Sequence, residues 1–219
     1  MLRVALIDGD SAIRAGRKMM IEAQENLLLV FEESDGPVAL EKIPELLVDV
    51  LVIDQRLNGC DGLQLACNLV DAYSEKQELC PTIILTGSYA TPELVLAAIR
   101  NGASDVVTQD SPMADLLLSI NSANTKQLLP DFSAFDEVLD HADYKPLPNP
   151  TFVLRRSQLS PNQEEFLVTL DSTKSLAKTQ FELQLTDLEF QGLLNELLLS
   201  LHFATPEQLY LALHDSKSF

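Results

Sequence analysis

The chain has 219 residues, of which 46% are hydrophobic and 22% are charged, so it can bury one large core or two small ones and is not wholly disordered. No apolar run reaches the roughly 18–20 residues that a membrane span needs. The formal net charge is −18, and none of the regions 1–123, 124–158 and 159–219 has an excess of Lys and Arg, which disfavours unaided binding to nucleic acid or anionic lipid.

The cysteines and the N-terminal residues indicate the cellular compartment of the protein. Cys60, Cys67 and Cys80 are an odd set without a metal-ligand spacing, so we expect free thiols in a reducing compartment. The apolar run Leu2–Ile7 is shorter than the core of a signal peptide and leads directly into acidic residues. The sequence therefore predicts a cytoplasmic protein without a secretory leader.

Short apolar runs alternate with amphipathic stretches over residues 1–123. The predicted strands are Arg3–Ile7, Leu27–Phe31, Val50–Ile53, Thr82–Leu85 and Asp105–Val107. The predicted helices are Ser11–Ala23, Gly36–Leu47, Gly62–Gln77, Thr91–Asn101 and Ser111–Ser122. This alternation predicts an α/β domain whose parallel sheet is covered by helices on both faces.

Three of these predicted helices have N-cap residues in the sequence. Ser11, Thr91 and Ser111 are the predicted N-caps, because a hydroxyl there can accept a hydrogen bond from the first turn. Pro92 and Pro112 suit the first helical position. Right-handed crossovers between parallel strands place any site of such a domain at the carboxyl ends of the strands.

The remainder of the chain has a different pattern. Residues 124–158 are rich in proline and contain one amphipathic piece, Asp131–Ala142, which predicts a linker with a short docking helix; a recruitment motif is the alternative. Residues 159–219 predict a small all-α domain. Its helices begin at Ser160-Pro161, at Thr186, which caps an apolar stripe ending at Leu201, and at Thr205-Pro206.

Acidic and hydroxyl residues lie at the ends of three predicted strands. Asp8 ends the first, Asp54 the third and Thr86 the fourth. Neighbouring carboxylates raise each other's pKa unless a cation lies between them, and magnesium suits such oxygen ligands. An aspartate placed there can attack a phosphoryl donor and form an acyl phosphate, and the Thr86 hydroxyl could bind a phosphoryl oxygen.

Four segments together resemble the receiver domains of bacterial response regulators. They are Ile7–Asp10 (acidic cluster), Val52–Gly62 (phosphoacceptor segment), Ile84–Gly87 (switch threonine) and Asn101–Asp105 (turn before the fifth strand). The resemblance covers residues 1–123 and implies a flavodoxin-like (βα)5 fold. It implies that Asp54 is the phosphoacceptor, that Thr86 is the switch hydroxyl, and that Asp8, Asp54 and the backbone carbonyl of Arg56 hold magnesium.

Three positions depart from the family pattern. The position of the family's second acidic metal ligand is occupied by Gly9, and the adjacent Asp10 is expected to point elsewhere. The family's lysine is replaced by Gln109, and its aromatic switch residue by Val106. Gly9 removes an anionic ligand, and a neutral amide makes a hydrogen bond about half as strong as a charged one. We expect weak magnesium binding and no functional phosphorylation. The alternatives are that Asp54 still accepts phosphate from a kinase or is only a helix or turn cap.

The last part of the chain resembles the LuxR-type helix-turn-helix domain at the level of pattern. Leu159–Leu167 is similar to the opening of its first helix, and Leu183–Phe190 to the entry of its recognition helix. Thr205–Leu213 matches the last helix, which is commonly a dimer contact in that family. The register before the recognition helix is open, because either Thr179-Gln180 or Leu176-Ala177 could take the place of a buried pair.

The outward face of the predicted recognition helix has no basic residue. Its members are Asp187, Leu188, Gln191, Gly192 and Asn195, with Glu196 beside them. Lys and Arg contacts to phosphates supply most of the affinity for DNA, although Gln and Asn can read adenine edges. The face therefore favours a dimer or partner-binding module, and sequence-specific DNA binding is the alternative.

These features predict an atypical response regulator of a two-component system, acting through protein contacts or dimerisation and without phosphorylation. The alternative is a phosphorylated, DNA-binding LuxR-family transcriptional regulator. An enzyme is not expected, because no nucleophile–base constellation is present. The expected partners are a second copy of the chain and a sensor kinase or regulatory protein, but not a membrane. Apolar positions on two predicted helices support a homodimer: Leu94, Val95, Leu96, Ile99, Leu209, Leu211 and Leu213.

Overall fold

The computed structural model of the chain describes residues 1–123, 132, 139 and 144–217. The chain divides into two compact units, Met1–Lys126 and Gln127–Phe219. Most of the predicted helix Asp131–Ala142 lies outside the described residues. Within the described ranges, every helix is too short or too polar to cross a bilayer.

The first unit is built on a five-stranded sheet in the order β2-β1-β3-β4-β5. Its strands are β1 Leu2–Ile7, β2 Leu27–Glu33, β3 Val50–Asp54, β4 Thr82–Gly87 and β5 Ala103–Thr108. All neighbouring pairs are parallel, which confirms the predicted α/β fold. The register places Asp54 opposite Thr86, so the two side chains predicted to share a site end adjacent strands.

Five helices alternate with these strands. They are α1 Ser11–Glu22, α2 Gly36–Lys42, α3 Gly62–Glu75, α4 Pro92–Arg100 and α5 Met113–Ser122. Helix α2 is shorter than predicted because Ile43–Glu45 continues as a single 3-10 turn that contains a proline. One face of the sheet packs against α1 and α5 through a continuous apolar core that includes Val4, Leu6, Val52, Leu116 and Ile120.

The N-caps only partly follow the prediction. Thr91 caps α4 through its side chain, as predicted. The predicted Ser11 cap is wrong, because the Asp10 carboxylate accepts two backbone hydrogen bonds from the first turn of α1 and Ser11 is already helical. The predicted Ser111 cap is also wrong: its hydroxyl pairs with that of Thr108 at 2.8 Å, and α5 has no side-chain cap.

The second unit is all-α, as predicted. Its helices are α6 Pro150–Arg156, α7 Pro161–Thr173, α8 Leu176–Glu182, α9 Asp187–Leu201 and α10 Pro206–Ser216. Helices α7 and α9 each begin with a capping box, formed by Ser160 with Gln163 and by Thr186 with Glu189. In α8, Leu176 and Thr179 are buried and the neighbouring Ala177 is exposed.

Helix α6 was not expected from the sequence, and it belongs to the core of the second unit. The Phe152 ring lies 5.9 Å from the Phe203 ring, and Arg155 donates a hydrogen bond to the Leu201 carbonyl at 3.1 Å. Phe166 and Phe190 join α7 to α9 with ring centroids 5.4 Å apart. Aromatic side chains therefore hold the helices of this small unit together.

Helix α10 is buried on most of its surface. The Phe132 ring stacks on Tyr210 at 4.4 Å, and the Tyr144 hydroxyl donates a hydrogen bond to Asp215. The apolar positions cited for a homodimer are mostly core residues, because all but the half-buried Val95 are buried: Leu94, Leu96, Ile99, Leu209, Leu211 and Leu213. These buried side chains do not supply a dimer surface, and the homodimer stays a prediction without them.

Two glycines provide a test of the packing at the edge of the sheet. A Cβ atom at Gly62 would lie 2.3 Å from the Asp54 carbonyl oxygen, whereas a Cβ atom at Gly16 meets nothing within 4 Å. We expect Gly62→Ala to lower the free energy of unfolding by about 1–3 kcal/mol through overpacking. Gly16→Ala should raise it by about 0.5–1 kcal/mol, because alanine is the better helix former. Urea unfolding followed by circular dichroism measures both, and equal shifts would contradict the packing described.

Candidate functional site

The predicted site residues lie at the carboxyl edge of the sheet and are almost fully buried. Asp8 directly follows β1, Asp54 ends β3 and Thr86 lies in β4. Their exposed fractions are 0%, 2% and 0%. The Thr86 hydroxyl donates to Oδ2 of Asp54 at 3.1 Å, so the structure places these two predicted residues in direct contact.

A residue that the sequence analysis missed lies between the two carboxylates. Nη1 of Arg17 is 2.6 Å from Oδ2 of Asp8 and 3.2 Å from Oδ2 of Asp54. The Arg17 side chain is only 4% exposed. A guanidinium therefore supplies the positive charge between neighbouring carboxylates, where a metal ion was expected.

The helical pattern of α1 contains the signal for this residue. Arg17 is four residues after Ile13 and four before Ile21, so it lies on the apolar face that α1 turns toward the sheet. An arginine on a buried helix face needs an anionic partner, since burial of an unpaired charge is very costly. The acidic strand ends were the available partners.

Backbone and amide donors satisfy the other carboxylate oxygens. Oδ1 of Asp8 accepts the Asp10 N–H at 2.9 Å, and Oδ1 of Asp54 accepts the Arg56 N–H at 3.0 Å. Nε2 of Gln109 is 3.5 Å from Oδ2 of Asp54, which is a long and neutral contact. Together with Arg17 and Thr86, these groups leave neither oxygen of Asp54 without a donor.

The two aspartates at the end of β1 have different roles: Asp8 lies in the site, and Asp10 caps α1. Burial raises the pKa of Asp8, and the Asp10 N–H and the Arg17 charge partly oppose this rise. Two backbone N–H groups of α1 lower the pKa of Asp10, which caps that helix and does not face the site. Asp10 thus points elsewhere, as expected.

Gly9 shapes the backbone beside the site. Its N–H donates to the Arg56 carbonyl oxygen at 3.3 Å, and a Cβ atom at Gly9 would lie 2.6 Å from that same oxygen. Any side chain at this position, including a carboxylate, would push against the backbone of the phosphoacceptor loop. The Arg56 carbonyl, expected as a metal ligand, is instead in contact with Gly9.

The residues present do not fit a magnesium ion. Arg17 lies between Asp8 and Asp54, position 9 has no carboxylate, and Gln109 is neutral. In the described ranges no group of three or more His, Cys, Asp or Glu side chains could hold a metal ion. Magnesium requires nearly octahedral oxygen coordination, which this guanidinium-filled site does not offer.

The remaining departures lie on β5 and its end. Val106 pairs with Leu85 of β4 and is half-buried. Gln109 follows β5, donates its backbone N–H to the Gly87 carbonyl at 2.8 Å and accepts a long hydrogen bond from Ser88 at its side-chain oxygen. No ring is present at position 106 to follow a movement of Thr86.

The face predicted for recognition begins at the start of α9. Asp187, Leu188 and Gly192 are exposed, and Gln191 and Asn195 are half-buried. Leu188 is 84% exposed, and Phe181, at the end of α8, is 83% exposed. These are the two most exposed large apolar side chains in the described part of the chain. The Gln180 amide donates to the Asp187 carboxylate at 2.7 Å and ties the two helix ends together.

Several cations of the second unit are already engaged within it. Arg156 pairs with Glu164 at 2.6 Å, Lys217 pairs with Asp171 at 2.6 Å, and Arg155 bonds a backbone carbonyl. The helix α9 itself contains no Lys or Arg. The α9 part of the surface around the exposed leucine therefore has an acidic and apolar character, while α8 contributes the exposed Lys178.

A parallel (βα)5 unit with an aspartate buried at the end of its third strand defines a receiver-type signalling domain. The family model described as "Response regulator receiver domain" matches residues 4–121. The chain therefore belongs to the response regulator receiver domain family, and it is a response regulator of two-component signalling.

Two curated relatives and a solved structure are similar to this chain over between about half and nearly all of its length. Transcriptional regulatory protein LiaR of Bacillus subtilis is 26% identical over 162 residues, which cover 73% of this chain and 74% of LiaR. Oxygen regulatory protein NreC of Staphylococcus haemolyticus is 25% identical over 55% of this chain, and the match spans only 54% of NreC. The RcsB response regulator of Salmonella typhimurium shares the fold, with 16% identity, a TM-score of 0.54 and coverage of 96% of this chain and 97% of RcsB.

Removal of Arg17 should have a large effect on stability. We expect Arg17→Ala to lower the free energy of unfolding by about 3–5 kcal/mol, because two buried carboxylates lose their charge partner. Arg3→Ala is a matched control, since Arg3 pairs with Asp49 at 2.7 Å but both side chains are about one-third exposed. That exposed pair should contribute less than about 1 kcal/mol. Chemical denaturation at neutral pH compares the two, and similar losses would contradict the buried ion pair.

Proposed function

We propose that this chain is an atypical response regulator that is not switched by phosphorylation of Asp54 and that acts through protein contacts. The observation that carries the proposal is the Arg17 guanidinium, which lies within 3.2 Å of both strand-end carboxylates. It supplies internally the positive charge that a metal ion would otherwise bring to these carboxylates.

The position of Asp54 supports the absence of phosphorylation. Nucleophilic attack requires a free carboxylate oxygen in line with the phosphorus atom of the donor. Asp54 is 2% exposed, and both of its oxygens already accept hydrogen bonds. A phosphoryl donor would have to displace Arg17 from its ion pairs before it could reach this carboxylate.

The surrounding charges support the same conclusion. A phosphoryl group in transfer needs preorganised cations around its oxygens. Gln109 offers only a neutral amide at 3.5 Å from Asp54, and no third acidic ligand is present at Gly9. The weak magnesium site of the sequence prediction would therefore contribute little to any transfer.

Acetyl phosphate with magnesium, followed by intact mass measurement, tests this part of the proposal. The wild-type chain should gain no phosphoryl group. The double variant Arg17→Ala, Gln109→Lys releases the carboxylates and adds the missing cation, so it should be modified faster than the wild type. A phosphoryl gain in the wild type that disappears in Asp54→Asn would overturn the proposal.

The output of the protein is proposed to be a contact with another protein. Phe181 and Leu188 flank the turn between α8 and α9, and each is more than 80% exposed. Apolar side chains of this size on a surface are typical of interaction sites. The acidic residues beside them repel DNA phosphates, whereas a neutral or basic protein surface would not be repelled.

Homology favours a second candidate, a DNA-binding transcriptional regulator. The similar LiaR protein is named as a transcriptional regulatory protein. In this reading, Gln191 and Asn195 would read base edges, and a dimer would bring enough contacts despite the charge. In both readings the chain is a regulator and not an enzyme, and the sensor kinase, regulatory protein or second copy that it contacts stays a prediction.

Binding to a library of DNA fragments, followed by fluorescence anisotropy, separates the two candidates. The wild-type chain should not bind even at low salt, because the face lacks the cations that make DNA binding salt-dependent. Asp187→Lys combined with Glu196→Arg reverses the charge of the same face and should introduce weak, salt-sensitive binding. Sequence-dependent binding by the wild type would support the transcriptional candidate instead.

A further inference from the structure

A cavity of about 260 Å³ lies between α1 and α5, next to the carboxylate site. Its apolar wall consists of Ile13, Val107, Met113 and Leu116. Its polar lining comes from Arg17, Thr86, Thr108, Gln109 and Ser111. Gly16 lies at the solvent side, is exposed, and has no atom within 4 Å of the position that a Cβ would take.

Arg17 has hydrogen-bonding capacity that the protein does not use. Both of its ion pairs are made by Nη1, and Nε and Nη2 donate to no acceptor in the described part of the chain. A guanidinium has five N–H donors, so Arg17 can donate to a further acceptor while it keeps both ion pairs. Arg17 lines the cavity, so an oxygen acceptor that enters it, either water or a ligand, can reach these N–H groups.

The charges around Arg17 restrict the kind of acceptor. Two carboxylates already face this single guanidinium, at 2.6 and 3.2 Å. The three groups together carry one net negative charge, which disfavours a further anion, and a cationic group offers no acceptor for the free N–H groups of Arg17. A neutral oxygen acceptor, such as the carbonyl of an amide or a ketone, satisfies the free N–H groups without adding charge.

The size and wall of the cavity suit a small ligand. Apolar cavities of ~150 Å³ hold one benzene molecule, and pockets for drug-sized ligands begin near ~300 Å³. A volume of about 260 Å³ therefore matches a molecule with one ring or one short branched chain. The apolar wall would contact this body, while the polar lining meets the acceptor.

We propose that this cavity binds a small neutral molecule with an apolar body and a carbonyl oxygen, and that Nε and Nη2 of Arg17 donate hydrogen bonds to this oxygen. The molecule would contact α1 and α5 together with the end of β5. Such a ligand gives the receiver an input that needs neither a phosphoryl group nor a metal ion, and this step goes beyond the proposed function.

Three isosteric probes test the chemistry: benzamide, which is neutral, benzoate, which is anionic, and benzamidine, which is cationic. Each is titrated into the 15N-labelled full-length chain and followed by chemical-shift changes. Benzamide should bind saturably and shift signals of α1 and α5, roughly tenfold more tightly than the two charged probes. No saturable binding of benzamide, or equal or tighter binding of a charged probe, would overturn the proposal.

Two leucine variants on α1 locate the binding site. Gly16→Leu adds a side chain at the open mouth of the cavity, where the Cβ position has no neighbour within 4 Å, and should weaken benzamide binding roughly tenfold or more. Ala15→Leu is the matched control, because Ala15 is exposed on the same helix and does not line the cavity. Undiminished binding by Gly16→Leu would also overturn the proposal. The titration needs no phosphorylation, so its failure is distinguishable from a failure of the acetyl phosphate experiment.

Discussion

The ion pairs that Arg17 makes with Asp8 and Asp54 connect the middle of α1 to the ends of two neighbouring central strands. All three side chains are at least 96% buried, so each depends on its partners and little on bulk solvent. Pairing in such surroundings compensates the cost of burial only when the geometry is good and the remaining oxygens are also bonded. The N–H groups of Asp10 and Arg56 and the Thr86 hydroxyl meet this condition. The positions of α1 and of both strand-end loops therefore depend on one another.

This arrangement explains how a receiver fold tolerates changes at positions that the family uses for chemistry. A second carboxylate at position 9 would crowd the Arg56 carbonyl, and a lysine at position 109 would add a second cation near the same aspartate. With Arg17 in place neither residue is needed for charge balance. In this chain the charge partner of both aspartates is a side chain of the same domain.

The sequence was sufficient for the elements whose signals are local. Apolar runs and amphipathic spacing predicted the strands, the receiver helices and the α9 stripe, although a carboxylate one residue earlier took the cap expected at Ser11. The Arg17 contact was missed because its partner Asp54 is 37 residues away, and the spacing of charges along the chain does not show which strand end a helix faces. Helix α6 was missed for the same kind of reason. Its buried aromatic residue, Phe152, packs against Phe203, which is distant along the chain.

The aromatic residues that precede Leu159 and pack against the rest of the helical unit matter when that unit is expressed alone. Phe132 and Tyr144 contact Tyr210 and Asp215, and Phe152 contacts Phe203. A fragment that begins at the helix-turn-helix resemblance near Leu159 would lack all three aromatic rings and would expose an apolar helix face to solvent. Such a fragment would be prone to self-association, so a dimer seen with it would not show that the full chain dimerises. A fragment that starts before Phe132 keeps these aromatic residues.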